Sequence, residues 1–423
     1  MSKTARKKNR NQAPSASGQR TLRLAAIVRR NLYAFVVREG MKALDEMLEQ
    51  DREQLCGPSH SKGTPEDPVR WGLTQGRLVM GGQRVMVRKP RVRQQGKEVE
   101  LPTWAEFADE DPLDERAFEQ MVVGVSTRKY KRSVEPLPDE LAPHATSKSA
   151  VSRKFVGMTA RKVDEWLNRD LSELRIVAVM VDGIAVADHI VIAALGIDEA
   201  GQKHPLGLWL GATENHGVCG KLLDNLIERG LDPQRAYLFV IDGSKALRKA
   251  IKDRFGRRAL VQRCQEHKRR NVLRLLPKKL HGMVSKTMRD AYKSKSTSTA
   301  KRRLLQLVAH LADEHPDAAA SLKEGLDETL TLKDMNLSAS LERTLSTTNP
   351  IENLNGIIRD VTRRVKRWRD GKMVKRWIAA GVLEAQRGFR RLRGHKSMPT
   401  LIAALTKHAE QTDRLDEEQV EAA

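Results

Sequence analysis

Apolar side chains recur at helical spacing between residues 21 and 55 (Leu22, Leu24, Ile27, Val28 and Leu32, then Met41, Leu44, Met47, Leu48 and Leu55). The pattern breaks in "CGPSHSKGTPEDP", a loop rich in Gly, Pro and Ser. Two short apolar runs in "GRLVMGGQRVMVRKPRVR" then flank Gly81-Gly82, which predicts a β-hairpin. Residues 104–124 return to helical spacing, and "GVSTRKYKRS" follows as a basic connector. In 146–171, Thr146 or Ser147 can cap a helix whose polar face carries Lys148, Ser149, Ser152, Arg153 and Lys154. Val151, Phe155 and Val156 are its candidate core residues. This suits the second helix of a helix-turn-helix in a DNA major groove. An ordinary basic surface helix fits the same pattern.

From residue 175 the period changes. "RIVAVMV" ends at Asp182, "HIVIAALGID" and "HPLGLWLGAT" follow after short turns, and all three read as strands. Residues 217–230 are helical, "AYLFVI" is an apolar strand ending at Asp242, "SKALRKAIKDRF" is a helix and "RALVQR" a short last strand. The order β-β-β-α-β-α-β is an antiparallel start followed by parallel crossovers. It matches the ribonuclease H-like fold, whose last element is a helix after the fifth strand. Residues 265 to 345 are helical, polar and basic, and read as an insertion, with the final helix starting near Pro350. Alternatively the α/β domain ends near 263 and a separate helical domain follows.

The expected architecture is therefore an α/β ribonuclease H-like core with a mixed sheet, interrupted by an all-helical insertion. A mainly helical N-terminal region with a small hairpin precedes it. The expected boundaries are a disordered basic arm at 1–20, a DNA-binding region at 21–172, core at 173–263, insertion at 264–346 and the final helix with basic C-terminal helices at 347–423.

Charge adds a partner. The formal net charge is +23, and clustered positive charge points to a polyanion, most often nucleic acid. Three scattered cysteines, Cys56, Cys219 and Cys264, exclude a disulfide framework and suit a reducing cytosol. No run of 18 apolar residues crosses a membrane, and the basic N-terminus lacks the apolar core of a secretory signal.

Asp182 and Asp242 close two strands that neighbour each other in the expected sheet. Carboxylates that close repel unless a cation lies between them. Hard oxygen-binding ions, Mg²⁺ or Mn²⁺, suit the position, and a pair of them can serve phosphoryl transfer. Glu352 in "TTNPIENLNG" is the candidate third acid. Each acid also has a structural reading. Asp-Gly is a turn signal, Asp242 or Ser244 can cap a helix, and Asn349, Pro350 and Glu352 have capping-box spacing. Arg359, Arg363, Arg364 and Arg367 follow Glu352 and could hold a DNA backbone. Trp368 and Trp377 suit core packing, with base stacking as the alternative. Cys264 and His267 form a Cys-x-x-His pair without the four ligands of a structural zinc. His267 could contact phosphate.

The blocks "VMVDGIAV", "FVIDGSKAL", "RCQEHKRRNVL" and "TTNPIENLNGIIR" resemble, in order, those of the Mutator-type transposases, bacterial insertion-sequence enzymes related to plant Mutator elements. "KPRVR", "GVSTRKY", "SKSAVSRKF" and "RWIAAGVLEAQRGFRRLRGHKSMPTLIAAL" extend the likeness over most of the chain, while 57–75 aligns with no family feature. The resemblance implies a DDE transposase with Asp182, Asp242 and Glu352 as catalytic triad and two Mg²⁺ or Mn²⁺ ions. It implies binding to the terminal inverted repeats of its own element, strand cleavage and 3′-OH transfer into target DNA. It also implies a homodimer or larger complex on double-stranded DNA in the bacterial cytoplasm, with no small-molecule substrate. Cys264 and His267 match a family signature of unsettled role. The rival readings are a DNA-binding regulator that no longer cuts, and a ribonuclease H-like nuclease that does not join.

Overall fold

The computed structural model describes residues 16–60, 64–80, 83–109, 112–134, 137, 147–186, 188–211, 213 and 215–421. The chain divides between Phe155 and Val156 into two compact units.

In the first unit, α1 (Ala16–Cys56) begins within the stretch expected to be a basic arm. Residues 1–15 lie outside the described residues. Strands β1 (Val69–Met80), β2 (Gln83–Gln94) and β3 (Lys97–Val99) form an antiparallel sheet. Met80 pairs with Gln83 across the expected hairpin turn; Gly81 and Gly82 themselves lie outside the described residues. Val37, Met41, Leu44 and Leu48 of α1 pack on Leu78, Val85, Val87 and Val92 of the sheet. The helical stretch expected at 104–124 is two helices, α2 (Pro102–Asp109) and α3 (Pro112–Val122). A single turn, α4 (Tyr130–Ser133), follows.

Helix α5 (Lys148–Asn168) is one continuous helix of 21 residues. Ser147 takes the capping role, its Oγ accepting from the Ala150 N–H at 3.2 Å; Thr146 lies outside the described residues. Val151 and Phe155 are buried as expected, but Val156 is exposed, because it falls beside rather than on the buried stripe. The second half of α5 joins the other unit. Val163, Trp166 and Leu167 enter its core, and the Trp166 indole N–H donates to Pro205 O at 2.8 Å. This moves the boundary into the helix, from the expected 172.

The second unit is built on a mixed five-stranded sheet, ordered β6-β5-β4-β7-β8. Strands β4 (Ile176–Val186), β5 (His189–Asp198) and β6 (Lys203–Gly211) are antiparallel. Strands β7 (Tyr237–Ile241) and β8 (Ala259–Arg263) run parallel to β4, reached through α6 (His216–Glu228) and α7 (Lys245–Phe255). Side chains alternate across the sheet. Val179, Val181, Phe239 and Ile241 face α6 and α7, while Ala178, Met180, Leu238 and Val240 face the opposite layer.

After β8 come α8 (Gln265–Arg274), α9 (Lys278–Tyr292), α10 (Thr297–Ala312) and α11 (Pro316–Lys323). They have an apolar core of their own, from Val272 to Leu330. Leu332, Met335, Leu341 and Leu345 already belong to the sheet's core, so the helical part closes earlier than the expected 346. Helix α12 (Ala339–Leu345) leads to α13 (Asn349–Thr362) and α14 (Gly371–Arg387), which cover the sheet's second face, and α15 (Met398–Glu421) follows. No helix among the described residues is long and apolar enough to cross a membrane.

Candidate active site

Val181 and Ile241 form the last parallel pair between β4 and β7. Asp182 and Asp242 are the next residues along these two neighbouring stretches, near enough that the charge of Asp242 raises Asp182. The two Asp-Gly steps differ, however. Strand β4 does not end at Asp182 as expected but continues to Val186, with Asp182 paired to Ala193. Gly243 does turn, at φ +113°, and a Cβ there would collide with the Arg263 guanidinium. Ser244, not Asp242, caps α7 by accepting from the Leu247 N–H at 3.3 Å. Asp242 Oδ1 accepts from the Ser244 N–H at 3.0 Å.

Glu352 lies in the first turn of α13, but not in a capping box. The N-cap is Thr348 and no side-chain cap bond forms. Asn349 and Pro350 are already helical. Instead the buried Thr348 hydroxyl donates to Glu352 Oε1 at 2.7 Å. It also stands 3.2 Å from His267 Nδ1 and 3.4 Å from Cys264 Sγ. Cys264 is tied to the sheet, its N–H donating to Ile241 O at 2.7 Å, and its Sγ accepts from the His267 N–H at the start of α8. Ligand atoms of Cys264, His267 and Glu352 lie within 4.8 Å of one another. Three donors fall short of a structural zinc shell, and the Thr348 hydroxyl already bonds within the group.

Asn355 closes the arrangement. It is one helical turn beyond Glu352, on the same face, and fully buried. Its Nδ2 donates to Asp182 Oδ2 at 2.7 Å, and Asp182 Oδ1 accepts from the Gly183 N–H at 2.9 Å. The α13 helix is thereby fastened to β4 next to the acid pair. Asn355 Oδ1 is buried with no hydrogen-bond partner. Burial, and secondarily the charge of Asp242, push the Asp182 carboxyl up to about 6, with a smaller contribution from Glu352. His267 is raised to about 9, first by its hydrogen bond to Cys264, against burial, with Glu352 and Asp242 adding to the effect. Burial raises the Cys264 thiol, but hydrogen bonds with His267 and Thr348 outweigh it and the net shift is downward. Glu352 thus gathers with Cys264 and His267, while Asp182 and Asp242 stand at neighbouring positions on adjacent strands, near enough to Glu352 for its charge to reach Asp182.

A sequence profile described as "Transposase, Mutator family" matches residues 23–391. The chain belongs to this family. It is 30% identical over 268 residues to the transposase for insertion sequence element IS256 in transposon Tn4001 of Staphylococcus aureus, covering 61% of this chain and 65% of that protein. It is 26% identical over 357 residues to the transposase for insertion sequence element ISRM5 of Rhizobium meliloti (strain 1021), covering 82% of this chain and 86% of the relative. The transposase for IS406 of Burkholderia multivorans is 29% identical over 262 residues, or 58% of this chain and 63% of the relative.

The basic residues singled out in this transposase-family sequence fall in three places. Lys148, Ser149, Ser152 and Arg153 are exposed on α5, with Lys154 half-buried, and belong to the first unit. His267 joins the Glu352 cluster. Arg359 lies exposed on α13, whereas Arg363, Arg364 and Arg367 follow the helix end and occupy the link to α14. Trp368 packs against the sheet's core. Thr348 and Asn355 were not among the expected site residues. A signal existed for Asn355: an amide on the same helix face as Ile351, Leu354 and Ile358 is buried and needs a partner.

Proposed function

We propose that this chain is a DDE transposase with a ribonuclease H-like core, acting on the terminal inverted repeats of its own insertion sequence. The contact of Asn355 with Asp182 is the observation that carries this reading, because it fastens the helix that bears Glu352 beside Asp182. The three carboxylates would suit Mg²⁺ or Mn²⁺: all are oxygen donors, and burial and a like-charged neighbour push the Asp182 carboxyl up to about 6, a penalty on its charged form that a cation would offset. Asp182 and Asp242 would hold one ion, and Glu352 with one of them a second. Divalent cations bound there supply activation of the attacking oxygen and stabilisation of the leaving oxygen.

The chain's own residues orient the acids. Asn355 sets the Asp182 rotamer and Thr348 that of Glu352, with His267 as a cationic neighbour. Water cleaves a phosphodiester at the element end, and the freed 3′-OH attacks target DNA. No Ser or Tyr nucleophile is required. The first unit, with α5, and the arginines after α13 would grip double-stranded DNA, and two ends would call for a dimer or larger assembly.

The test is strand cleavage and transfer with purified protein, oligonucleotide ends and Mg²⁺. Asp182→Asn, Asp242→Asn and Glu352→Gln are each expected to lower both steps by at least about 10³-fold while end binding persists. Asn355→Ala is expected to raise the Mg²⁺ concentration giving half-maximal rate. A Glu352→Gln protein that keeps full activity and only melts earlier would reduce Glu352 to a structural residue. Cleaved but never joined products would make the protein a nuclease, and end binding with no cleavage a regulator.

A further inference from the structure

A cavity of about 290 Å³ opens between α8, α9 and α12, and the proposed chemistry leaves it unused. The Gln265 N–H on its wall donates to Ser346 O at 2.9 Å. Thr347 also lines it, and the Thr347 hydroxyl is buried with no hydrogen-bond partner. The next residue, Thr348, holds Glu352. Glu266 of the same wall precedes His267. The cavity and the group formed by His267, Thr348 and Glu352 therefore share the first turn of α8 and the segment entering α13.

Its charge is unbalanced. Glu342 is engaged by Lys333 at 2.5 Å, and Glu266 by Arg269 at 2.5 Å and Arg270 at 3.2 Å. Arg289, Lys293 and Arg343 line the same space and have no carboxylate partner among the described residues. Arg269 and Arg289 also donate to one buried hydroxyl, Ser285 Oγ, at 2.8 and 3.0 Å. Two guanidinium groups on one oxygen repel each other unless an anion offsets them. Glu266 does so for Arg269 only.

We propose that this cavity receives a phosphodiester of a single DNA strand as that strand leaves the carboxylate cluster. Guanidinium forks match tetrahedral phosphate, and the volume suits one nucleotide unit and excludes a duplex. The proposal rests on the proposed function, since the anion is part of the transposase's own substrate.

The test combines Arg289→Gln, Lys293→Gln and Arg343→Gln, all at exposed positions, so that melting is expected to change little. Affinity for end oligonucleotides is measured against KCl, with ends carrying a single-stranded tail on the cleaved strand and with fully paired ends. For tailed ends the variant is expected to bind about tenfold more weakly, with a slope of log affinity on log salt shallower by about 2. Paired ends are expected to be affected much less. An unchanged slope for tailed ends would overturn the proposal, as would equal losses on both kinds of end. So would a deoxynucleoside monophosphate that stabilises wild type but not variant while the slope stays unchanged, since the cavity would then serve free nucleotides. Mn²⁺ binding followed by electron paramagnetic resonance is expected to match in wild type and variant. A wild-type protein that neither binds Mn²⁺ nor cleaves ends would instead count against the proposed function.

Discussion

Asp182 has the most informative single environment. An acid whose folded pKa lies above its unfolded value of about 4 stabilises the fold only while protonated. With its carboxyl pushed up to about 6 by burial and by Asp242, the metal-free protein is expected to lose stability as pH rises from about 4 through about 6. The loss is on the order of 3 kcal/mol and persists above that window. Asp182→Asn keeps an acceptor for Asn355 and carries no charge, so in EDTA at alkaline pH it should melt higher than wild type. Saturating Mg²⁺ should remove the wild type's deficit. Thermal melts across pH, with and without metal, check both statements, and an Asp182→Asn protein no more stable than wild type in EDTA would refute the first.

At the scale of elements, the site depends on how α13 is seated. Gly381 of α14 faces Ile358 of α13, and a Cβ at Gly381 would lie 2.9 Å from Ile358 Cα. A helical glycine normally weakens its helix by up to about 1 kcal/mol, but here it permits the close approach. Gly381→Val is expected to cost about 2–3 kcal/mol by overpacking and to lower the melting temperature by about 5–8 °C. Because Glu352 and Asn355 ride on α13, it should also reduce cleavage below what the lost folded fraction explains. Rates measured well below the melting point, per folded molecule, separate the two effects.

At the scale of the molecule, the helical segment is joined to the sheet unit by buried charge. Lys268 is 1% exposed. Its ammonium donates to Ser321 O and Glu324 O at 2.6 Å each, at the C-terminal end of α11. Arg263, the last residue of β8, donates to Glu324 O at 3.1 Å and pairs with its carboxylate at 3.2 Å. These groups satisfy carbonyls that a helix end leaves open. Lys268→Met should strand them and cost about 3 kcal/mol, more than its added apolar burial returns. Hydrogen exchange is expected to rise first in α8 and α11, ahead of the sheet; uniform exchange across the unit would contradict that.

Much of this was legible along the chain because alternation and helical period are local. The strand order, the apolar β4 and β7, the turn at Asp242-Gly243 and the basic excess follow from neighbouring residues in sequence. The alternative capping-box reading of Glu352 also rested on local spacing, and it fails because Thr348 turns its hydroxyl to Glu352 and the helix start carries no side-chain cap bond. Asn355 meeting Asp182, Thr348 gathering His267 and Glu352, and three cations without a carboxylate around one cavity join residues from distant parts of the chain. So does the division of α5 between two units, which depends on Trp166 finding Pro205. Periodicity reports which side of an element is apolar, but not which partner that side will meet. Those pairings became specific only when β4, β8, α8 and α13 packed together and each buried polar group had to find a partner or remain without one.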